Sequence, residues 1–237
     1  TVNVYTIPVN GATLTPAEVA VINPEEAVDV TSIALSGEIA PDEVKDLIDK
    51  LPALEELDLS DLSQALPQGA MAGKETLVTV VLPSASAIEA ETFKGCANLA
   101  NVVVPECVDI IGADAFSGCS SLKNLSLSGI TAVGANAFKG CDRMTSIIFT
   151  AARPDAQPAR VRRLSRASEN GFDTNAFAGL NPNCVVYLDE GVSRPDIPDV
   201  NFVQVRQDAA AESGRVYEAL GNVVITPGYD FQVVNAF

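Results

Sequence analysis

The sequence predicts an α/β solenoid of about seven parallel strands, and three observations predict it. Apolar residues recur at the middle of each expected strand, at Ile33, Leu57, Val80, Val102, Leu125, Ile147 and Val186, at intervals of 24, 23, 22, 23, 22 and 39 residues. A companion column lies two residues on (Leu35, Leu59, Leu82, Val104, Leu127, Phe149, Leu188), and another lies three residues before (Leu54, Leu77, Leu99, Leu122, Met144), with Asn183 breaking the last copy. Finally, Met71, Phe93, Phe116, Phe138 and Phe177 share one slot, each followed two residues later by glycine and preceded by five by an apolar residue. Residues two apart on a strand point the same way, so each copy presents an apolar face that only a stacked neighbour can bury.

Each element follows in order. Residues 1–29 are expected to cap the first coil, with a strand over Val2–Tyr5 and a helical turn opening at Thr15 and Pro16. The solenoid is expected over residues 30–190. Its first return is expected to be a true helix of about ten residues. Pro41, Asp42 and Glu43 suit a first turn, where proline loses no bond and acids meet the positive end of the helix dipole. Val44, Leu47, Ile48 and Leu51 then make one apolar stripe, and Pro52 stops it. The later returns are too short for a helix and are expected to be irregular or briefly helical. The glycine two residues past each Phe marks a backbone position where a side chain is strained or crowds the next coil.

The 39-residue interval carries an insertion loop over 150–171, locally basic through Arg153, Arg160, Arg162, Arg163 and Arg166. It reads as a solvated loop, a binding arm, or a segment folding back on the acidic first coils. Residues 191–237 lose the repeat, and short strands are expected near Phe202–Val205, Asn222–Ile225 and Phe231–Val234. They are either a β-rich C-terminal cap or the opening of a following domain.

The formal charge is −16, and residues 1–61 hold 13 acids against Lys45 and Lys50. That balance disfavours nucleic acid and anionic lipid as partners. No run reaches the roughly 18 apolar residues of a membrane helix, so no membrane insertion is expected of this segment. With no histidine, the commonest general base and metal ligand is missing, and no cofactor is expected.

The segment Ala115-Phe116-Ser117-Gly118-Cys119-Ser120-Ser121-Leu122, matched by Thr92–Leu99 and Ala137–Met144, resembles the repeat of BspA-like leucine-rich-repeat proteins over about residues 30–190. The resemblance implies a leucine-rich-repeat fold in an extracellular or cell-surface bacterial protein of the Bacteroides type, a lipid-anchored outer-membrane protein being one form. It implies adhesion or host-matrix binding, with a protein or glycan ligand and no catalytic residues.

Strand alternation lists the open face of the sheet: Ser32 and Ala34, Glu56 and Asp58, Thr79 and Val81, Asn101 and Val103, Asn124 and Ser126, Ser146 and Ile148, Val185 and Tyr187. The apolar strip Val81, Val103, Ile148 and Tyr187 is the expected partner-binding surface, with Glu56 and Asp58 at one end and Arg160, Arg162 and Arg163 as a rim. β-branched residues also favour strands for their own sake, so the strip equally fits a structural reading. Two further readings stand beside binding: an architectural spacer displaying another domain, and a hydrolase using Glu56 and Asp58 as acid and base. The last lacks an accompanying nucleophile or pocket. Cys96, Cys119 and Cys141 share a slot filled by Lys74 and Leu180 in other copies, which reads as a buried column of small thiols.

Overall fold

The computed structural model describes residues 12–15, 29–150, 171–189, 192–207, 216–219 and 232–236. The chain is a leucine-rich-repeat solenoid. Its front carries β1 (Ala12–Leu14), β2 (Ser32–Leu35), β3 (Glu56–Asp58), β4 (Thr79–Val81), β6 (Asn101–Val103), β8 (Asn124–Ser128), β10 (Ser146–Thr150), β11 (Val185–Asp189) and β12 (Asn201–Gln207). Its return side carries three two-residue strands, β5 (Ala87–Ile88), β7 (Ile110–Ile111) and β9 (Ala132–Val133), paired in parallel. Two more strands, β13 (Val216–Ala219) and β14 (Gln232–Ala236), extend the C-terminal edge. Among the described strands, pairing is parallel except for β12 with β13. The strand expectations at Val2–Tyr5 and Asn222–Ile225 lie outside the described residues.

The register follows the sequence columns. Ile33 opposes Leu57, Leu57 opposes Val80, and Val80 opposes Val102. Leu125 opposes Ile147, and Ile147 opposes Val186. The front strands nevertheless form two sheets rather than one, β1-β2-β3-β4-β6 and β8-β10-β11-β12-β13-β14.

The helix α1 (Pro41–Asp49) is the expected first return. The Glu43 carboxylate accepts the Ala40 N–H at 3.2 Å, satisfying one donor the helix itself cannot. Val44, Leu47 and Ile48 are buried, as the apolar stripe requires. At its other end Lys74, from the next coil, donates to the carbonyls of Ile48 and Leu51 at 2.8 and 2.5 Å. A cation there meets the negative end of the helix dipole. Burial lowers the Lys74 pKa, and the nearby Asp49 works against that shift.

The core runs along the stack. Phe93, Phe116, Phe138 and Phe177 lie ring on ring, with centroids 5.3, 5.8 and 5.6 Å apart and planes within 15°. Each buried phenyl contributes roughly 1.5–3 kcal/mol through lost apolar exposure. The glycines two residues past the aromatic slot all have φ between 70 and 80°. A Cβ on Gly118 would also stand 3.4 Å from the Gly95 backbone, so both the conformation and the crowding expected there apply.

Two further columns escaped the sequence reading. Glu91, Asp114 and Asn136 adopt φ of 59, 54 and 55°, and Gly69 does so in the same slot. Their N–H groups each donate at 2.9–3.0 Å to a carbonyl of the next coil, which fixes the bend. Gly112 and Gly134 pack backbone against backbone, where a Cβ would meet Ala90 N at 2.4 Å and Ala113 N at 2.5 Å.

Candidate functional site

The open front of the first sheet is built from short strands whose outward residues are polar at one position and smaller or apolar at the next. Adjacent rungs are tied together. The Ser32 hydroxyl donates to Glu56 Oε2 at 3.2 Å, and Asn101 Nδ2 donates to Thr79 Oγ1 at 3.4 Å. Asp58 Oδ1 accepts the Ser60 N–H at 2.9 Å, which fixes that carboxylate in its own turn. Glu56 is exposed and Asp58 half-buried. The ion pairs among the described residues, Lys45–Asp49 and Lys94–Glu91, leave both without a basic partner.

These residues line a shallow concavity of about 290 Å³, with Ser32, Ala34, Glu56, Asp58, Thr79 and Val81 on its walls. Val81 is half-buried at its edge. Beyond it Val103 is 54 % exposed, the one large hydrophobic side chain so exposed among the described residues. The two carboxylates beside the exposed Val103 suit recognition of a partner carrying both donors and apolar surface.

The strip expected to run on through Ile148 and Tyr187 does not reach solvent. Ile148 is 9 % exposed and Tyr187 3 %, and with Val185, Val203 and Val205 they form a second apolar cluster. The correction has a physical reason. Alternation fixes the direction in which a side chain points, but not what the chain lays over it. Arg160, Arg162 and Arg163 lie outside the described residues.

The cysteine slot holds donors. Cys96, Cys119 and Cys141 are buried, and their Sγ atoms donate to the carbonyls of Met71, Phe93 and Phe116 one coil back, at 3.0, 3.2 and 3.2 Å. Lys74 does the same for α1, so the column is one of donors serving the preceding coil; only the apolar side of that role was legible from Leu180. Burial pushes the Cys96, Cys141 and Cys184 thiols up to about 12 and raises that of Cys119 as well. At neutral pH they are therefore thiols and not thiolates, the form that attacks or binds metal. All five cysteines are free, and Cys107 is exposed. Among the described residues no group of three or more Cys, Asp or Glu is placed to hold a metal ion, and no helix is long and apolar enough to cross a membrane.

Residues 49–154 match the BspA type leucine-rich repeat region in 6 copies. None of the curated proteins matches the chain. Among solved structures, a leucine-rich repeat protein of T. pallidum is similar at 22 % identity over 58 % of each chain, with a TM-score of 0.41. A leucine-rich repeat protein from Bacteroides ovatus is similar at 16 % identity over 81 % of this chain and 42 % of its own, with a TM-score of 0.46. A leucine-rich cell surface protein from Faecalibacterium prausnitzii shares 19 % identity over 73 % of this chain and 53 % of its own, with a TM-score of 0.28. The chain thus spans 42–58 % of the length of these three proteins. Over residues 49–154, which carry most of the aromatic stack and the thiol column, the chain is similar to the BspA type leucine-rich repeat region.

Proposed function

We propose that the chain is a non-catalytic binding module of the secreted or cell-surface kind, which holds a protein or glycan partner on the open face of β2–β6 in an adhesive role. One observation carries this reading: the exposed Val103 adjoins an acidic concavity on the half of the front that is open, while the equivalent side chains of β10 and β11 are buried. Glu56, Asp58, Val81 and Val103 are the contact residues.

A hydrolase at Glu56 and Asp58 has less support. Asp58 is held by the Ser60 amide, Glu56 by the Ser32 hydroxyl, and the concavity between them is wide and shallow.

The test uses immobilised extracellular-matrix proteins and a glycan array as probes. The unaltered chain is expected to bind at least one of them, and the Val81→Glu/Val103→Glu variant to lose that binding with its far-ultraviolet circular dichroism and melting temperature intact. Retained binding in a folded variant rejects this face.

A further inference from the structure

We infer that the break between β6 and β8 is a joint, about which the coils before and after it rock while the return side of the stack stays closed.

Four front steps are stitched in one way, while at β10–β11 only Val185 N reaches the coil before, donating to Thr145 O at 3.0 Å, and Cys184 N turns to Asn181 O. In the four, two successive N–H groups entering a strand donate to a single carbonyl of the coil before. Glu55 and Glu56 bond Thr31 O; Val78 and Thr79 bond Glu55 O; Ala100 and Asn101 bond Val78 O; Thr145 and Ser146 bond Lys123 O. By that rule Lys123 and Asn124 should donate to Ala100 O, and among the described residues that pair of bonds is not made. β6 pairs with β4 alone and β8 with β10 alone. In a parallel strand, alternate residues turn their N–H and C=O to opposite neighbours. Asn101 and Val103 face β4, so Val102 and Val104 turn theirs toward the opening, as do Asn124 and Ser126 from the far side.

The return side of the same two coils is fully bonded. Ile111 pairs with Val133, the Phe116 and Phe138 rings stack at 5.8 Å, and Phe116 N and Gly118 N donate to Ala137 O and Lys139 O at 2.8 and 2.7 Å. Cys141 Sγ adds a bond to Phe116 O. On the front, the last bonds before the opening are those of Ser121 N and Ser120 Oγ to Ala97 O at 3.0 and 3.2 Å. Two bodies zipped along one side and unpaired along the strands opposite have one soft motion, opening and closing about the zipped side.

The local sequence marks the opening. Pro105 stands immediately past the inward residue Val104, as Pro83 does past Leu82. β4 and β6 run for 3 residues, as β3 does with Ser60 in that slot, while β8 and β10, with Ser128 and Thr150 there, run for 5. Coil four also fills its inward front positions with Val102 and Val104, smaller than the leucines of the next coil, and both are only partly buried. Unpaired backbone groups at the opening are left to water, which keeps the open state affordable in free energy.

Hydrogen exchange on the unaltered chain, resolved by residue, is the first test. The amides of Val102, Val104, Asn124 and Ser126 are expected to exchange at least about tenfold faster than those of Thr79, Asn101 and Thr145. Equal protection means that the front is zipped in solution and overturns the inference. The second test is trapping: in an Asn101→Cys/Asn124→Cys variant carrying Cys107→Ser, oxidised glutathione should close a disulfide across the opening. Such a bond needs Cβ atoms about 3.5–4.5 Å apart and so reports closure. Closure that slows exchange at Val102 and Ser126 supports the joint. Fast exchange with no disulfide means a fixed gap, and overturns it.

Discussion

β4–β6 and β10–β12 present the same side of equivalent strands to the front of the solenoid, yet one side meets solvent and the other does not. Val103 and Ile148 occupy the same slot, one after the central inward residue, and are 54 % and 9 % exposed. In the first half the strands are short, one outward column is polar with its rungs tied by hydrogen bonds, and the apolar residues of the other, Val81 and Val103, are half-buried and exposed. In the second half the apolar outward residues pack as a cluster of their own, with Ser146 and Thr150 buried beside them. The inner core does not distinguish the halves, since the aromatic stack runs through both. Repetition therefore dictates the interior of such a fold while leaving each stretch of its front free to become a surface or a second core.

The largest expected effect tests what the halves share. Phe116→Ala, in the middle of the ring stack, should cost about 3–5 kcal/mol in denaturant unfolding, because the cavity is walled by rings on both sides. A loss below about 1 kcal/mol would mean that the stack does not couple the halves.

The next separates them directly. Ile148→Asp places an unpaired charge in the second cluster and should destabilise by more than about 3 kcal/mol, whereas Val103→Asp should stay within about 0.5 kcal/mol. Equal melting temperatures for the two variants would erase the distinction between covered and open fronts.

A smaller effect sits beside the joint. Asp109 keeps Oδ1 buried without a partner, and burial raises its pKa, its own N–H offsetting part of that shift. A carboxyl with a raised folded pKa holds a penalty that is present above that pKa and vanishes below the unfolded one. Asp109→Asn should therefore raise the melting temperature by about 1–2 °C at neutral pH, the gain shrinking as pH falls into the carboxylate range.

The smallest is a count. In the native protein Ellman's reagent should titrate Cys107, just past β6, while Cys184, just before β11, reacts with the three column thiols only on unfolding. Rapid labelling of Cys184 would argue that the second half opens.

Much of this was legible in the sequence. The Phe, Leu and Gly columns fixed which residues stack, because burial between coils demands the same residue class at each recurrence. The helix of the first return was legible from Pro41 and the stripe through Leu51. What could not be read depends on distances between coils. The break after β6 leaves only Pro105 and two valines as its trace, and Pro83 shows that a proline in that slot does not by itself split the sheet. The covering of Ile148 and Tyr187 has no periodic signal at all. Gly112 and Gly134 look like ordinary turn residues until Ala90 and Ala113 are seen against them. Lys74 read as an exception in a column of thiols, and its purpose emerged only with the carbonyls of α1 in view.

Because each thiol of that column serves the carbonyl one coil back, whole units bearing Cys96 or Cys119, 23 residues apart, can be spliced out or duplicated without orphaning an acceptor, since a thiol follows each of them in the next copy. The unit bearing Lys74 has no such freedom. Its ammonium is matched to the end of a helix, and transplanted to the middle of the array it would meet a single carbonyl in an apolar interior. Lengthening or shortening by whole units is thus open at the centre of the array and closed at its helical junction.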